Sequence, residues 1–233
     1  MFLFCSLLTA AERQPVLVEL FTSEGCSSCP PADTLLQDLE RLQPIAGAQV
    51  IALSEHVDYW NSLGWRDPFS NHQYSVRQEQ YARAFHLWSN YTPQMVVDGR
   101  TEFVGSNAAK ARDAIVRAGQ QPKADVSLQW KDGKLSVHAA HVPSGANWKV
   151  MVAVAESGLR SSVGSGENSG RTLAHTAVVR WLREAGSVRD GAFQGDVDVT
   201  LAKGWNRDHL QAVAFVQDAA TRQIAGAAVA ALR

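Results

Sequence analysis

The first half of the chain alternates short apolar runs with amphipathic stretches. Residues 16–21 (VLVELF) are almost continuously apolar, which is typical of a buried strand in a parallel sheet. Four leucines within residues 35–42 then fall at helical spacing, and residues 50–53 (VIAL) form a second apolar run. This order of strand, helix and strand predicts a βαβ unit with a right-handed crossover.

Two more strands and a helix follow after a long insertion. Residues 94–104 hold two β-prone runs on either side of Asp98-Gly99, a dipeptide that favours a tight hairpin. Asn107 precedes another amphipathic stretch and is a suitable helix cap. The insertion covers residues 56–90, and its residues 71–87 have a helical pattern. The order β-α-β, insertion, β-β-α is the topology of the thioredoxin fold, which we predict for residues 12–121.

The second half of the chain changes from a helical period to alternation. From residue 122 onward, apolar and polar residues alternate in several short runs separated by turn residues. About seven strands in such a segment predict a small β-sandwich. The predicted fold class is therefore an α/β thioredoxin-like domain with a helical insertion, followed by an all-β sandwich-like domain over residues 122–233.

Cys26 and Cys29 form a CxxC motif at the predicted turn between the first strand and its helix. A cysteine thiolate is the nucleophile of disulfide exchange, and a second thiol at this spacing resolves the mixed disulfide. We therefore expect Cys26 and Cys29 to be catalytic, with Cys26 attacking and Cys29 resolving. Because residues before a proline avoid the helical conformation, the helix should begin near Pro31, with Cys29 or Pro30 as its cap. The helix dipole then lies closer to Cys29 than to Cys26.

Four motifs carry a resemblance to a known family: ELFTSEGCSSCPPAD, HVDYWNSLGWRDPFS, YTPQMVVDGR and GENSGR. The chain resembles the secreted, thioredoxin-like bacterial family known as domain of unknown function 1223. This resemblance implies a CxxC in a thioredoxin-like domain, export from the cytoplasm and no established substrate. It also implies that Pro93 is cis and that Thr92 and Pro93 contact the substrate. In the last motif, Glu167, Asn168 and Arg171 either contact a partner, pack onto the first domain, or lie in a solvated loop.

The insertion is rich in aromatic residues and is expected to lie near the CxxC. Aromatic side chains at helical spacing usually form a small additional core, which we predict for most of them. Tyr59, Trp60 and Trp65 lie in the preceding loop and are better candidates for a lid. We assign Tyr59 and Trp60 to substrate binding.

Two alternatives to redox exchange remain open. The disulfide of an exported protein can be permanent, in which case the protein is a non-catalytic binding or structural module. A copper-binding chaperone could instead use Cys26, Cys29 and His56, since soft thiolate ligands suit Cu(I). We otherwise expect no metal and no cofactor, because phosphate-binding loops, dinucleotide fingerprints and the GxSxG motif are missing from the sequence.

The net charge limits which partners are possible, and the N-terminal sequence pattern indicates the cellular compartment. The net charge is −1, which argues against a nucleic-acid binder. Residues 1–10 are apolar but too few to span a bilayer, and residues 1–11 suit the remnant of a secretory signal that would carry Cys5. We therefore expect a periplasmic or secreted protein without an integral membrane segment. Its expected partners are client protein thiols or a redox partner protein.

Overall fold

The computed structural model describes residues 13–233, so the predicted signal remnant and Cys5 lie outside the described residues. This part of the chain contains thirteen β-strands and three α-helices. The strands are β1 (Gln14–Thr22), β2 (Ala48–His56), β3 (Gln94–Val97), β4 (Thr101–Val104), β5 (Asp125–Lys131), β6 (Lys134–Ala140), β7 (Trp148–Glu156), β8 (Leu159–Ser162), β9 (Thr172–His175), β10 (Val178–Ser187), β11 (Phe193–Asp198), β12 (Leu210–Asp218) and β13 (Ile224–Ala231). The helices are α1 (Pro30–Leu42), α2 (His72–Ala84) and α3 (Ala108–Gly119).

Eight strands from both halves of the chain form one mixed sheet. Their order is β13-β12-β7-β10-β2-β1-β3-β4, and β2 is parallel to both β1 and β10. The two halves meet where Val178 of β10 pairs with Ser54 of β2. The predicted thioredoxin-like α/β domain followed by a separate all-β sandwich is therefore wrong. With 42% strand and 19% helix, the protein is mostly β, and its later strands extend the sheet of the first half. The domain boundary near residue 121 stays a prediction.

The large sheet is covered on both faces. On β7, Val150, Val152 and Val154 face one core, whereas Ala153 and Ala155 face the other. The first of these cores lies under the three-stranded sheet β11-β6-β5, and the second includes the apolar faces of α1 and α3. Alternating side chains thus allow one strand to hold two layers together, because successive residues of a strand point to opposite faces.

The β3–β4 hairpin turns at Asp98-Gly99, as the sequence predicts. Both residues have positive φ, 49° and 60°, which a tight primed turn requires. A side chain at Gly99 would overlap the carbonyl oxygen of Arg222, which precedes β13. The turn therefore also brings the first half of the chain against the last strand.

The insertion forms α2, capped by Asn71, whose side chain accepts a hydrogen bond from the N–H of Gln73 at 2.9 Å. A small additional core is present, in which Tyr81 packs with Phe21, Val57 and Val96, but it holds few of the insertion's aromatic residues. Tyr74 belongs to the main core and Trp88 is fully exposed, whereas Trp60 of the preceding loop packs against the small core. Among residues 13–233, none of the helices is long and apolar enough to cross a membrane.

Candidate functional site

Cys26 and Cys29 are joined in a disulfide at the turn between β1 and α1, with their Cα atoms 5.4 Å apart. Cys29 is the N-cap residue of α1, one of the two caps that the sequence predicts, and the helix begins at Pro30. Cys29 has helical dihedral angles (φ −77°, ψ −38°), so the proline after it does not exclude this conformation as we expected. The N–H groups of Ala32 and Asp33 both donate to the carbonyl oxygen of Cys29, at 2.8 and 3.1 Å. Because proline has no N–H, the first turn of α1 offers no free N–H group to a cysteine thiolate.

Both cysteines are fully enclosed, although the residues between them are not. The exposed fraction of Cys26 and of Cys29 is 0%. Ser27 and Ser28 are exposed, and Ser28 Oγ lies 3.4 Å from Cys26 Sγ. A thiol from solution therefore meets the serine side chains and not the sulfur atoms.

The predicted substrate turn lies beside the start of α1. The Thr92–Pro93 peptide bond is cis, as the resemblance implies, and Pro93 is buried. A Cβ placed on Gly105 would lie 3.2 Å from the Cβ of Ala32 and 3.3 Å from that of Pro93, so Gly105 fills the narrow space between them. The cis-proline and the first turn of α1 are thus close neighbours.

The two aromatic residues assigned to substrate binding have different surroundings. The indole N–H of Trp60 donates to Thr92 Oγ1 at 2.8 Å, and a Cβ on Gly25 would lie 3.1 Å from the Trp60 Cβ. Trp60 therefore links the cis-proline turn to the residue before Cys26. Tyr59 is 39% exposed, and its hydroxyl donates to Gln78 of α2 at 3.0 Å. Burial raises the pKa of Tyr59 to about 12.

A loop from the second half of the chain packs against the CxxC turn. We call residues 164–171, between β8 and β9, the cover segment. The side-chain amide of Asn168 donates to the carbonyl oxygens of Glu24 and Cys26, at 2.8 and 3.0 Å. Glu167 Oε2 accepts a hydrogen bond from the N–H of Ser27 at 3.0 Å. The GENSGR motif thus packs onto the CxxC turn, which is one of the interpretations that the sequence left open.

Glu24, two residues before Cys26, lies at the centre of a buried polar cluster that the sequence analysis missed. Its carboxylate accepts hydrogen bonds from Trp65 Nε1 at 2.7 Å and from Ser161 Oγ at 3.1 Å, and it lies 3.1 Å from His175 Nε2. Its backbone N–H donates to Asp67 at 2.9 Å. These partners come from the insertion and from the segment around β8 and β9. Only the position of Glu24 beside the CxxC could have signalled its role.

His56 and Asp67 continue this cluster. His56 Nδ1 lies 2.7 Å from Asp67 Oδ2, and the ring centroids of His56 and His175 are 4.8 Å apart. Burial alone would raise the pKa of Asp67, but the neighbouring His56 and hydrogen bonds from backbone N–H groups hold it below its usual value. Asp67 is therefore an ionised anchor for the His56 ring.

Asp33 is a buried carboxyl group one helical turn after Cys29. Residues four apart share a face of a helix, and its backbone N–H donates to the carbonyl oxygen of Cys29. Burial raises the pKa of Asp33 to about 7, partly offset by His175. Within residues 13–233, Asp33 Oδ1 has no hydrogen-bond partner. A carboxyl group of this kind can hold or release a proton near neutral pH.

The three residues of the copper hypothesis are otherwise engaged. Cys26 and Cys29 are bonded to each other, and His56 is paired with Asp67. The part of the chain that the structure describes contains no group of three or more His, Cys, Asp or Glu side chains placed to hold a metal ion.

Comparisons with known proteins connect this arrangement to a family. A family model described as "Protein of unknown function (DUF1223)" matches residues 17–217. The crystal structure of a protein from Agrobacterium tumefaciens is similar, with a TM-score of 0.75 and 27% identity, over 95% of this chain and 96% of that chain. HBP35 of Porphyromonas gingivalis shares the fold, with a TM-score of 0.67 and 16% identity, over 96% of this chain and 77% of that chain. No curated protein matches the sequence.

Proposed function

Since the chain belongs to the DUF1223 family, whose description assigns no activity, we propose a function from the site itself. The protein is a thiol–disulfide oxidoreductase that exchanges disulfides with client proteins through Cys26 and Cys29. It works outside the cytoplasm, in the periplasm or after secretion. The location rests on the apolar pattern of residues 1–10 and on an oxidised cysteine pair, which an oxidising compartment preserves.

The observation that carries this proposal is a disulfide that closes a very short loop and is surrounded by buried ionisable side chains. A loop closed by cysteines three positions apart restricts the unfolded chain little, so the chain-entropy model gives about 2 kcal/mol of stabilisation. Burying the side chains of Glu24, Asp33 and His175 beside it costs free energy. A disulfide that served only as a cross-link would need none of these groups, whereas a reaction that makes and uses protons does.

The reaction balances as two successive exchanges. A client thiolate attacks Cys26 Sγ, the bond between the two cysteine sulfurs breaks, and Cys29 leaves as a thiolate that takes up a proton. A second client thiolate then attacks the client sulfur of the mixed disulfide and releases Cys26. The client loses two electrons and two protons to form its disulfide, and the cysteine pair gains them. We assign the supply of this proton to Asp33, which lies one helical turn after Cys29.

Substrate contacts are proposed for the residues around the cis-proline. The turn at Thr92 and Pro93 lies beside the first turn of α1, and Trp60 holds it through its indole N–H. Tyr59 directly precedes Trp60 in the same loop and is partly exposed. These side chains would contact the client chain on either side of its reacting cysteine.

A permanent disulfide is the second candidate, and the complete burial of both cysteines favours it. A structural disulfide resists the glutathione pool and has a reduction potential below about −300 mV, whereas oxidoreductases lie between about −270 and −120 mV. Equilibration of the protein with glutathione or dithiothreitol buffers, read by alkylation of free thiols, measures this potential. A value in the oxidoreductase range supports exchange, and a value below about −300 mV contradicts it.

Trapping provides an independent test in the native compartment. Run in reverse, the reaction begins when the Cys26 thiolate attacks a client disulfide and ends when Cys29 attacks Cys26 Sγ and releases the client. The Cys29→Ser variant can take the first of these steps but not the second, so its mixed disulfide with a client should accumulate. The Cys26→Ser variant is the matched control, since the proposal assigns the attacked sulfur to Cys26. Equal amounts of mixed disulfides in both variants, or none in either, would contradict the assignment.

A further inference from the structure

The cover segment hangs from a hairpin that stands apart from the larger sheets. Within the described residues 13–233, β8 and β9 pair with each other and with no other strand. The loop between them is closed by its own hydrogen bonds, from Val163 N–H to the carbonyl of Arg171 at 2.9 Å and from Gly170 N–H to that of Val163 at 2.8 Å. Outside the hairpin, the loop also contacts the insertion, where Ser165 Oγ donates to the carbonyl oxygen of Gly64 and Gly166 lies against Trp65. Movement of the loop would break these contacts but none of the pairing of the eight-stranded sheet.

One buried side chain anchors this loop to the CxxC turn. Among residues 164–171, all of which the structure describes, Asn168 alone is buried, with an exposed fraction of 0%. Its amide nitrogen donates hydrogen bonds to two carbonyl oxygens of the turn. Its Oδ1 accepts a hydrogen bond from the guanidinium of Arg171 at 2.9 Å. The contact of Glu167 with Ser27 N–H is exposed, so solvent weakens it.

The same anchor occupies the backbone next to the reacting sulfur. Asn168 donates hydrogen bonds to the carbonyl oxygens of Glu24 and Cys26. A client chain that approached the disulfide along this backbone would find these two acceptors already bonded. Both sulfur atoms are enclosed, and the cover segment holds the backbone of Cys26 in this enclosed position, so its release is the step that would open the disulfide to a thiolate. A small thiol needs a narrow opening, whereas a cysteine within a polypeptide needs the whole loop to leave.

We infer that Asn168 is a specificity-determining residue. The cover segment that it anchors selects among thiols, because a large thiol needs a wider opening of the loop than a small one. This inference rests on the proposed function for its substrate class, protein and small-molecule thiols. Asn168 acts by holding the loop closed and takes no part in the transfer of electrons or protons.

The test compares the Asn168→Ala variant with the unmodified protein and with Ser169→Ala. Ser169 is exposed and its hydroxyl contacts only the cover segment itself, at the carbonyl of Gly164, so Ser169→Ala is a matched control. Three reagents are used: a water-soluble phosphine, reduced glutathione, and reduced, unfolded ribonuclease A. The phosphine cleaves disulfides without thiol exchange and therefore reports access alone.

We expect Asn168→Ala to react with ribonuclease A about 10-fold faster, the effect of two lost hydrogen bonds. The gain with glutathione should be smaller, so the ratio of the two rate constants rises, and Ser169→Ala should match the unmodified protein. Equal rates for all three proteins with every reagent would overturn the inference and leave the proposed function standing. A different outcome would be faster reduction of Asn168→Ala by the phosphine with no thiol exchange in any of the three proteins. That result would show that Asn168 limits access to the disulfide, and it would contradict the proposed oxidoreductase function.

Hydrogen exchange tests the same inference without a substitution. The side-chain amide of Asn168 is buried and bonded to two carbonyl oxygens of the CxxC turn, so its exchange reports the opening of the loop. It should be protected at least about 10-fold less than the N–H groups of β1, which open only with the main sheet. Protection of this amide equal to that of β1 would show that the cover opens only on unfolding, and would overturn the inference.

Discussion

His175 Nε2 lies 3.1 Å from Glu24 Oε1, and both side chains are buried, although 151 positions separate them along the chain. The pair fixes the end of β9 against the residue two positions before Cys26. A buried carboxylate is stable only while its charge is balanced by such partners. The environment of the disulfide therefore depends on residues from both halves of the sequence.

Removal of the imidazole should destabilise the protein. His175→Ala removes one of the buried partners of the Glu24 carboxylate and leaves Glu24 Oε1 without it, so we expect the free energy of unfolding to fall by about 3 kcal/mol. Urea denaturation measures this loss. In the Glu24→Gln variant an uncharged amide replaces the carboxylate. There, His175→Ala should lower the free energy of unfolding by about half as much or less. Equal losses in both backgrounds would show that the two side chains are not coupled.

The stability of the protein should depend on pH through Asp33. Burial raises its pKa in the folded state to about 7, from an ordinary value of 3.8, and the ionisable side chains that face it are His175, Asp67 and Glu24. Between these values the folded state binds more protons than the unfolded state, so stability falls as pH rises. The protein therefore gives up on the order of 4 kcal/mol between pH 4 and pH 8 through this group, as an upper bound.

The Asp33→Asn variant tests this dependence. Asparagine resembles the protonated carboxyl group and does not ionise, so the variant should gain stability relative to the parent as pH rises from 4 to 8. Urea midpoints at several pH values measure the difference between the two proteins. A constant difference across this range would show that Asp33 does not titrate there.

The hydrogen bond between Trp60 and Thr92 should hold the cis-proline turn in place. Trp60→Phe keeps an aromatic ring but removes the indole N–H, which should cost about 1 kcal/mol. In a Thr92→Val background the hydroxyl is gone, and the further loss on Trp60→Phe should be near zero. Denaturation of the four proteins completes the cycle, and an undiminished loss in the valine background would refute the pairing.

Gly99 and Gly133 form a matched pair for the effect of a side chain at positive φ. Both lie in hairpin turns, with φ of 60° and 81°. A Cβ on Gly99 would overlap the carbonyl oxygen of Arg222, whereas a Cβ on Gly133 meets nothing within 4 Å. We expect Gly133→Ala to cost about 1–2 kcal/mol from the backbone alone. Gly99→Ala should cost at least about 3 kcal/mol, because the overlap adds to the same penalty. Similar thermal stability of the two variants would contradict this explanation.

Local features of the structure could be predicted from the sequence, since they depend on neighbouring residues. Pro30 and Pro31 define where α1 begins, because proline fits only the first turn of a helix. Asp98-Gly99 defines the β3–β4 turn, and Asn107 caps α3. Each of these signals lies within a few residues of the feature that it specifies.

Long-range features could not be predicted from the same patterns. The alternation in residues 172–182 indicates strand, but not that the chain turns at Ala177 and that Val178 joins β2. A period of two shows which face a residue occupies and not which strand lies beside it. The contacts of Glu24 with His175 and of Cys26 with Asn168 escape prediction for the same reason, because they join distant parts of the chain.

The cover segment also sets an order for the making of this protein. Synthesis proceeds from the N-terminus, so Cys26 and Cys29 leave the ribosome long before Asn168, whose side chain later binds the carbonyl of Cys26 across 142 positions. In a chain that lacks the second half, the two cysteines are without this contact, so an oxidant should reach them more easily than in the finished fold. We therefore expect the disulfide to form before the second half of the chain packs onto the turn.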